Sequence, residues 1–325
     1  MKRAARPGGR TRRLLPLLLS APLLAGACRR PEHPEVAAGR SVPLPAPVDS
    51  TASIAAGPAG RLWLAAGGRL AVLDTAGGPA AALDLEAPGP ARFVGSDTAA
   101  VYLLAGTRLL AVAPDGGRVR ARRGGVGEDG FAPDPGGGGY LATRGGGVLR
   151  AAPGTLEPVL GWPERGPPGT ALAVSPLGDR VYQALGGEDP EVLTRDAQTG
   201  RVLARSEAGG EVRRLEAGPD GTLYALRGEG RRAALAALRP GPAGLEELWE
   251  STLRALDLDD SVRLAVSPAG TRLALVSAAG GGTLRVLDAA TGQVVAGEGG
   301  VVDAAWAADG ALLLLTPREV RVVRP

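Results

Sequence analysis

The chain has 325 residues, 44% hydrophobic and 22% charged, which is a globular balance. It holds one cysteine, one histidine and no asparagine, so an intramolecular disulfide and a cysteine-cluster metal site are excluded. The formal charge of +3 does not signal nucleic-acid binding: Lys2, Arg3, Arg6, Arg10, Arg12 and Arg13 supply six positive charges in the first thirteen residues, and the rest is mildly acidic.

That basic run opens a signal peptide over residues 1–27. Residues 14–27 are apolar, too short a run for a bilayer that needs about 20 residues, and small residues follow. The segment ends Leu24-Ala25-Gly26-Ala27-Cys28, which resembles a bacterial lipobox. The resemblance implies that Cys28 is the lipid-modified first residue of the mature chain. More than one acyl chain then gives a stable anchor, since one chain alone holds weakly. Residues 28–40 read as the lipidated cysteine and a tether. They have no apolar period, and His33 falls here as a solvated linker residue.

From residue 41 onward one phrase recurs: a small-residue strand, a Pro/Asp/Gly turn, then an apolar strand. Leu172-Ala173-Val174-Ser175-Pro176 returns letter for letter as Leu264-Ala265-Val266-Ser267-Pro268. The second strand carries a marker at Trp63, Tyr102, Tyr140, Tyr182, Tyr224, Ala274 and Leu313, at spacings of 39, 38, 42, 42, 50 and 39. With 51 glycines and 28 prolines the chain approaches a low-complexity composition, and this regularity argues for a folded repeat instead. A second turn, Asp196-Ala197-Gln198-Thr199-Gly200, recurs as Asp288-Ala289-Ala290-Thr291-Gly292. Asp bonds its own backbone two residues on and Gly supplies positive φ, so these are hairpin connections.

Each unit is thus four short strands, A to D, in about 42 residues, the period of a propeller blade. At the A–B turn and the Asp-x-x-Thr-Gly turn the sequence resembles the YVTN and WD-repeat propeller superfamily, over about 280 residues. The fold expected is all-β: a seven-bladed β-propeller of four-stranded antiparallel blades spanning 41–325. The last blade lacks a D strand in sequence order. The segment 41–48 is expected to supply it as the outer edge, where proline is tolerated, and so to close the ring.

The resemblance implies a binding face formed by the D–A and B–C loops. The D–A connections carry Glu86, Glu128, Asp129, Glu164, Glu207, Glu211, Asp257, Asp259, Asp260 and Glu298, and the B–C loop at 186–190 adds Glu188 and Asp189. An acidic face is expected, either as plain solvated loops or as a site for a cation or basic partner. Oxygen ligands suit Ca²⁺, but no Asp-x-Asp-x-Asp-Gly loop is present. Arg118, Arg120, Arg122 and Arg123 alternate on a D strand in the manner that protects an edge. Trp162 and Trp249, near D-strand ends, are packing residues or a binding platform.

Two functions fit. One is a membrane-anchored, extracytoplasmic propeller, a monomeric disc that binds an envelope protein or a ligand and needs no cofactor. The other is a hydrolase or lactonase, because YVTN-like propellers include lactonase relatives. The disc has no His, Cys or Asn, so only carboxylate, Arg or Tyr chemistry would serve it.

Overall fold

The computed structural model describes residues 39–325, apart from 58–59, 75–77, 87–88, 144–145, 163–168, 230–231, 255, 257 and 259–260, and the side chains of 79, 127–129, 169–170 and 229. The segments expected as signal peptide and tether, with Cys28, lie outside the described residues as far as residue 38.

Seven sheets of four antiparallel strands form the fold. Blade 1 is β2 (Ser53–Ala56), β3 (Leu62–Ala66), β4 (Arg69–Leu73) and β5 (Pro79–Asp84). Blade 2 is β6 (Ala91–Ser96), β7 (Val101–Ala105), β8 (Arg108–Val112) and β9 (Val119–Gly124). Blade 3 is β10 (Val126–Pro133), β11 (Gly139–Thr143), β12 (Val148–Ala151) and β13 (Pro158–Trp162). Blade 4 is β14 (Gly169–Val174), β15 (Arg180–Leu185), β16 (Glu191–Asp196) and β17 (Val202–Glu207). Blade 5 is β18 (Val212–Ala217), β19 (Leu223–Glu229), β20 (Arg232–Gly241) and β21 (Gly244–Leu253). Blade 6 is β22 (Arg263–Val266), β23 (Arg272–Ser277), β24 (Thr283–Asp288) and β25 (Val294–Gly299).

Blade 7 takes β26 (Asp303–Trp306), β27 (Leu312–Leu315) and β28 (Glu319–Val323) from the end of the chain and β1 (Arg40–Pro43) from its start, in the order β26-β27-β28-β1. The ring is therefore closed by the N-terminal strand, as the sequence predicts. Pairing runs from Arg40 opposite Val322 to Pro43 opposite Glu319. Two more backbone bonds, Leu44 to Arg318 and Val48 to Pro317, extend it at 2.9 and 2.8 Å. Pro45 and Pro47 fall beyond the ladder, which accommodates residues that cannot donate. Val42 is the inward residue of β1, 2% exposed, among Ile54, Leu64, Leu313 and Val320.

The repeated phrases have a local cause. In the A–B turn the Ser175 hydroxyl accepts the Arg180 amide at 3.0 Å, and Ser267 accepts the Arg272 amide at 3.0 Å. In the C–D turn one oxygen of Asp196 accepts the amide and hydroxyl of Thr199 at 2.8 and 2.7 Å, and Asp288 repeats this with Thr291 at 3.1 Å for both. Gly200 and Gly292 follow at φ 73° and 68°, and each seats against a tryptophan of the preceding blade, Trp162 and Trp249.

The core is distributed. Among the described residues it divides into seven apolar clusters, one in each seam between blades. All seven B-strand markers are buried, from Trp63 at 0% to Ala274 and Leu313 at 2% exposure. Small Ala, Val and Leu side chains predominate because neighbouring sheets face each other closely near the axis. The only helical feature described is a 3₁₀ turn at Ala279–Gly281, and no described helix is long and apolar enough to cross a membrane.

The 50-residue marker spacing has its extra length in blade 5. Strands β20 and β21 have ten residues each, where β24 and β25 have six. This long hairpin laps onto blade 4, where the Leu245 amide donates to Ser206 Oγ at 2.9 Å.

Candidate functional site

The inner strands surround an axial channel, and register decides which side chains enter it. Ser53, Arg92, Ala171, Arg214, Arg263 and Asp303 all pair with the residue two beyond their blade's marker: Ala65, Leu104, Ala184, Leu226, Val276 and Leu315. They form one layer around the axis in six of the blades. Blade 3 interrupts the layer with a register shift between Val126 and Phe131. Three of the six are arginines.

This layer floors the mouth on the D–A face. A cavity of about 300 Å³ opens there, lined by Ser50, Thr51, Arg92, Arg214, Ser261 and Arg263. A throat of about 100 Å³ lies behind it, and the same three arginines line it with Phe93, Phe131, Leu172 and Glu216. Arg214 is 8% exposed, and its Nε donates to the Val262 carbonyl at 2.9 Å. Arg263 donates to the same carbonyl at 3.1 Å. These bonds fix two guanidinium groups, from blades 5 and 6, on one wall. Arg92, from blade 2, stands on the opposite side of the ring.

Asp303 completes the layer beside Ser53. It accepts the Ser53 hydroxyl at 2.8 Å and the Ile54 amide at 3.0 Å. Burial pushes its carboxyl above the ordinary range; the charge of Arg263 and the hydrogen bonds from Ile54, Ser53 and Ala304 oppose this without overcoming it. The layer thus combines three guanidinium groups with one buried carboxyl.

The residues singled out from sequence distribute differently. Glu188 and Asp189 lie exposed in the β15–β16 turn, on the B–C side. Glu128 and Asp129 were expected in a D–A connection. That connection shrinks to Gly125, and both residues lie within β10 in the bulged stretch, with their side chains outside the described set. Glu164, Asp257, Asp259 and Asp260 lie outside the described residues. Among the acids that are described, Glu86 pairs with Arg122 at 2.8 Å, Glu211 with Arg213 at 3.0 Å, and Glu298 with Arg321. Among the described residues no group of three His, Cys, Asp or Glu is placed to hold a metal ion.

The other candidates are structural. Trp162 is 8% exposed and stacks on Tyr140 with ring centres 5.5 Å apart, and Trp249 donates its indole N–H to the Ala289 carbonyl of blade 6 at 3.1 Å. Both serve seams rather than a platform. On β9, Arg120 donates to the Ala99 carbonyl at 2.7 Å and Arg122 takes Glu86, so the arginines dress the outer edge of blade 2. A larger hollow of about 800 Å³ lies near the A–B turns, walled mostly by blades 7 and 1 and reached by Ser96 of blade 2 and Pro268 of blade 6. It lies apart from the axial arginines.

The same ring architecture occurs in solved structures. A chain in the crystal structure of BamB from Moraxella catarrhalis superposes with a TM-score of 0.53 at 15% identity, covering 83% of this chain and 84% of that one. A chain of a mitotic checkpoint complex superposes with a TM-score of 0.65 at 12% identity, covering 97% and 99%. Both likenesses are of fold. No family model matches the chain, and no curated protein matches it in sequence.

The arginine layer is not among the candidates that the motifs single out. Its signal is nonetheless present in the spacing: each member stands ten or eleven residues ahead of its blade's marker. Counting back from the markers aligns Arg92, Arg214 and Arg263.

Proposed function

We propose that this chain is a lipid-anchored, extracytoplasmic propeller that acts as a docking scaffold for an envelope protein, engaging it through the D–A and B–C face. The observation that carries the reading is the closed ring. Its blades are pinned to one another by buried seams, so the face is a rigid surface with an arginine-lined mouth at its centre. A rigid face loses little conformational freedom on binding, which favours affinity. The fold likeness to a chain of a named multiprotein complex supports a protein-binding role by analogy. Anchoring through Cys28, with the disc facing outward from the cytoplasm, rests on the lipobox-like sequence.

The test is a crosslinking pull-down from intact membranes. It compares the full chain with a variant carrying Asp257→Lys, Asp259→Lys and Asp260→Lys. A discrete envelope protein captured by the parent and lost by the variant supports docking through this face. Capture by both keeps the scaffold and moves contact away from that loop. Capture of nothing by either overturns the scaffold reading.

A further inference from the structure

We infer that the hollow walled by blades 7 and 1 is a binding site for a small apolar ligand carrying an aromatic ring. It lies on the A–B side of the ring, opposite the proposed docking face, and does not depend on the scaffold reading.

The argument comes from comparing the seven seams. In five of them the B-strand marker is an aromatic residue that packs toward the following blade: Trp63, Tyr102, Tyr140, Tyr182 and Tyr224. The seam of blades 6 and 7 has the small marker Ala274, and Trp306 from the next inner strand packs there instead. The seam of blades 7 and 1 has neither. Its marker is Leu313, and the residue that matches Trp306 is Ala56; each of the two pairs with the residue just before its blade's marker. The chain's four tryptophans, four tyrosines and two phenylalanines all pack in the other six seams. This seam is therefore built without a ring.

Space remains where the ring is missing. Leu313 and Ala56 themselves line the hollow, with Leu62 and Val42 of the same apolar cluster. Protein interiors are close-packed, so a hollow of about 800 Å³ between two packed sheets stands out. Its size falls within the range of small-molecule sites, which are mostly apolar and largely preformed.

The walls also favour one kind of occupant. Trp306 is half-buried and borders the hollow from the neighbouring seam. Its indole N–H already donates to the Ala265 carbonyl at 3.2 Å, so what it offers the hollow is ring surface. Ring pairs gain about 0.5–1.5 kcal/mol beyond the area they bury. The described polar lining is confined to Arg40, Arg61, Ser96 and Asp309, the last paired with Arg324 at 3.0 Å. Selection here is by shape and ring contact rather than by charge.

The test is calorimetric titration with 2-naphthol and with decahydro-2-naphthol, its saturated counterpart. The protein is the full chain carrying Cys28→Ser, so that no detergent competes for the hollow. Leu313→Tyr restores the missing ring from one wall, and Ala56→Trp fills the same space from the other. The expected result is saturable one-to-one binding of 2-naphthol, at least threefold tighter than that of the saturated compound. Each filled variant should weaken it at least tenfold while thermal unfolding stays at or above that of the parent. The inference is overturned if 2-naphthol does not bind, if the saturated compound binds as tightly, or if a folded variant binds like the parent. Unfolding of both variants shows that the space is not free and overturns it too. A Gly-Gly-Tyr-Gly-Gly peptide that binds where 2-naphthol does not would give the hollow to a protein partner, against a small ligand.

Discussion

The Tyr102 hydroxyl donates to Asp97 Oδ2 at 2.6 Å, and this oxygen also accepts the Gly138 amide of the next blade at 2.7 Å. The other Asp97 oxygen accepts the amides of Ala99 and Ala100 at 2.6 and 2.7 Å. One carboxylate thus shapes the A–B turn of blade 2 and clasps blade 3. Burial alone would raise its pKa; the Tyr102 hydroxyl and the Gly138, Ala100 and Ala99 amides outweigh burial and hold it below 3.8. A lowered folded value means the contribution is present above the ordinary 3.8 and lost as pH falls through the folded value. Asp97→Asn is expected to lower stability at pH 7 by about 1–3 kcal/mol. It should also narrow the gap between denaturant midpoints at pH 7 and pH 3. An unchanged gap contradicts the clasp.

The tyrosines make an alkaline counterpart. Burial is the first cause that raises all four, Tyr102, Tyr140, Tyr182 and Tyr224, the last to about 12. Unfolded tyrosine ionises near 10, so these side chains favour the folded state below that pH and the benefit fades above it. Tyrosinate absorbance is expected to stay low on titration past pH 10 and to rise with unfolding. A smooth rise centred at 10 in folded protein contradicts the burial.

Gly200 and Gly310 separate two costs of adding a methyl group. Both have positive φ, 73° and 82°. A Cβ on Gly200 meets the Trp162 ring, whereas one on Gly310 meets nothing within 4 Å. Gly310→Ala is expected to cost about 1 kcal/mol, from backbone strain alone. Gly200→Ala should cost at least about 2 kcal/mol, because the indole must shift as well. Chemical denaturation of the two variants checks the order, and equal losses count against the seam.

The closing strand is tested at Val42, the residue of β1 that points into the seam of blades 7 and 1. Val42→Asp places a carboxylate among aliphatic side chains and is expected to cost about 3 kcal/mol or more. Ser41→Thr, on the exposed side of the same strand and keeping the hydroxyl that donates to Glu319, should be nearly silent. Thermal unfolding that ranks both substitutions alike removes β1 from the stability of the ring.

Membrane attachment is tested at Cys28. Cys28→Ser is expected to move the protein from the membrane fraction to the soluble fraction and to abolish acyl-chain mass on the N-terminal peptide. Retention in the membrane with no lipid mass on the parent rules out this anchor.

The blade count, the markers and the closing strand were legible because each depends on backbone hydrogen bonding that fixes residue type locally. Ser175, Asp196 and Gly200 each do a job that few other residues can do. The axial layer was harder to see. An arginine on an inner strand looks like any other arginine until register shows whether it faces the channel or the neighbouring blade. Glu128 and Asp129 were misplaced for a related reason: a bulge lets a strand run through residues whose composition reads as a loop. The extra length of blade 5 lies in a hairpin with no unusual motif, so spacing alone could not locate it.

The pairing of β1 with β28 has a temporal side. Ser41 and Glu319 bond across 278 residues of sequence, so the earliest strand of the disc is made long before its partner exists. Contacts of such long range are slow to form, because a large loop must close before they can reward it. Throughout that interval the segment is an open edge, able to pair with another chain. Its brevity and its neighbouring prolines are the features that blunt such an edge. Closure of the ring therefore waits until β28 has been made.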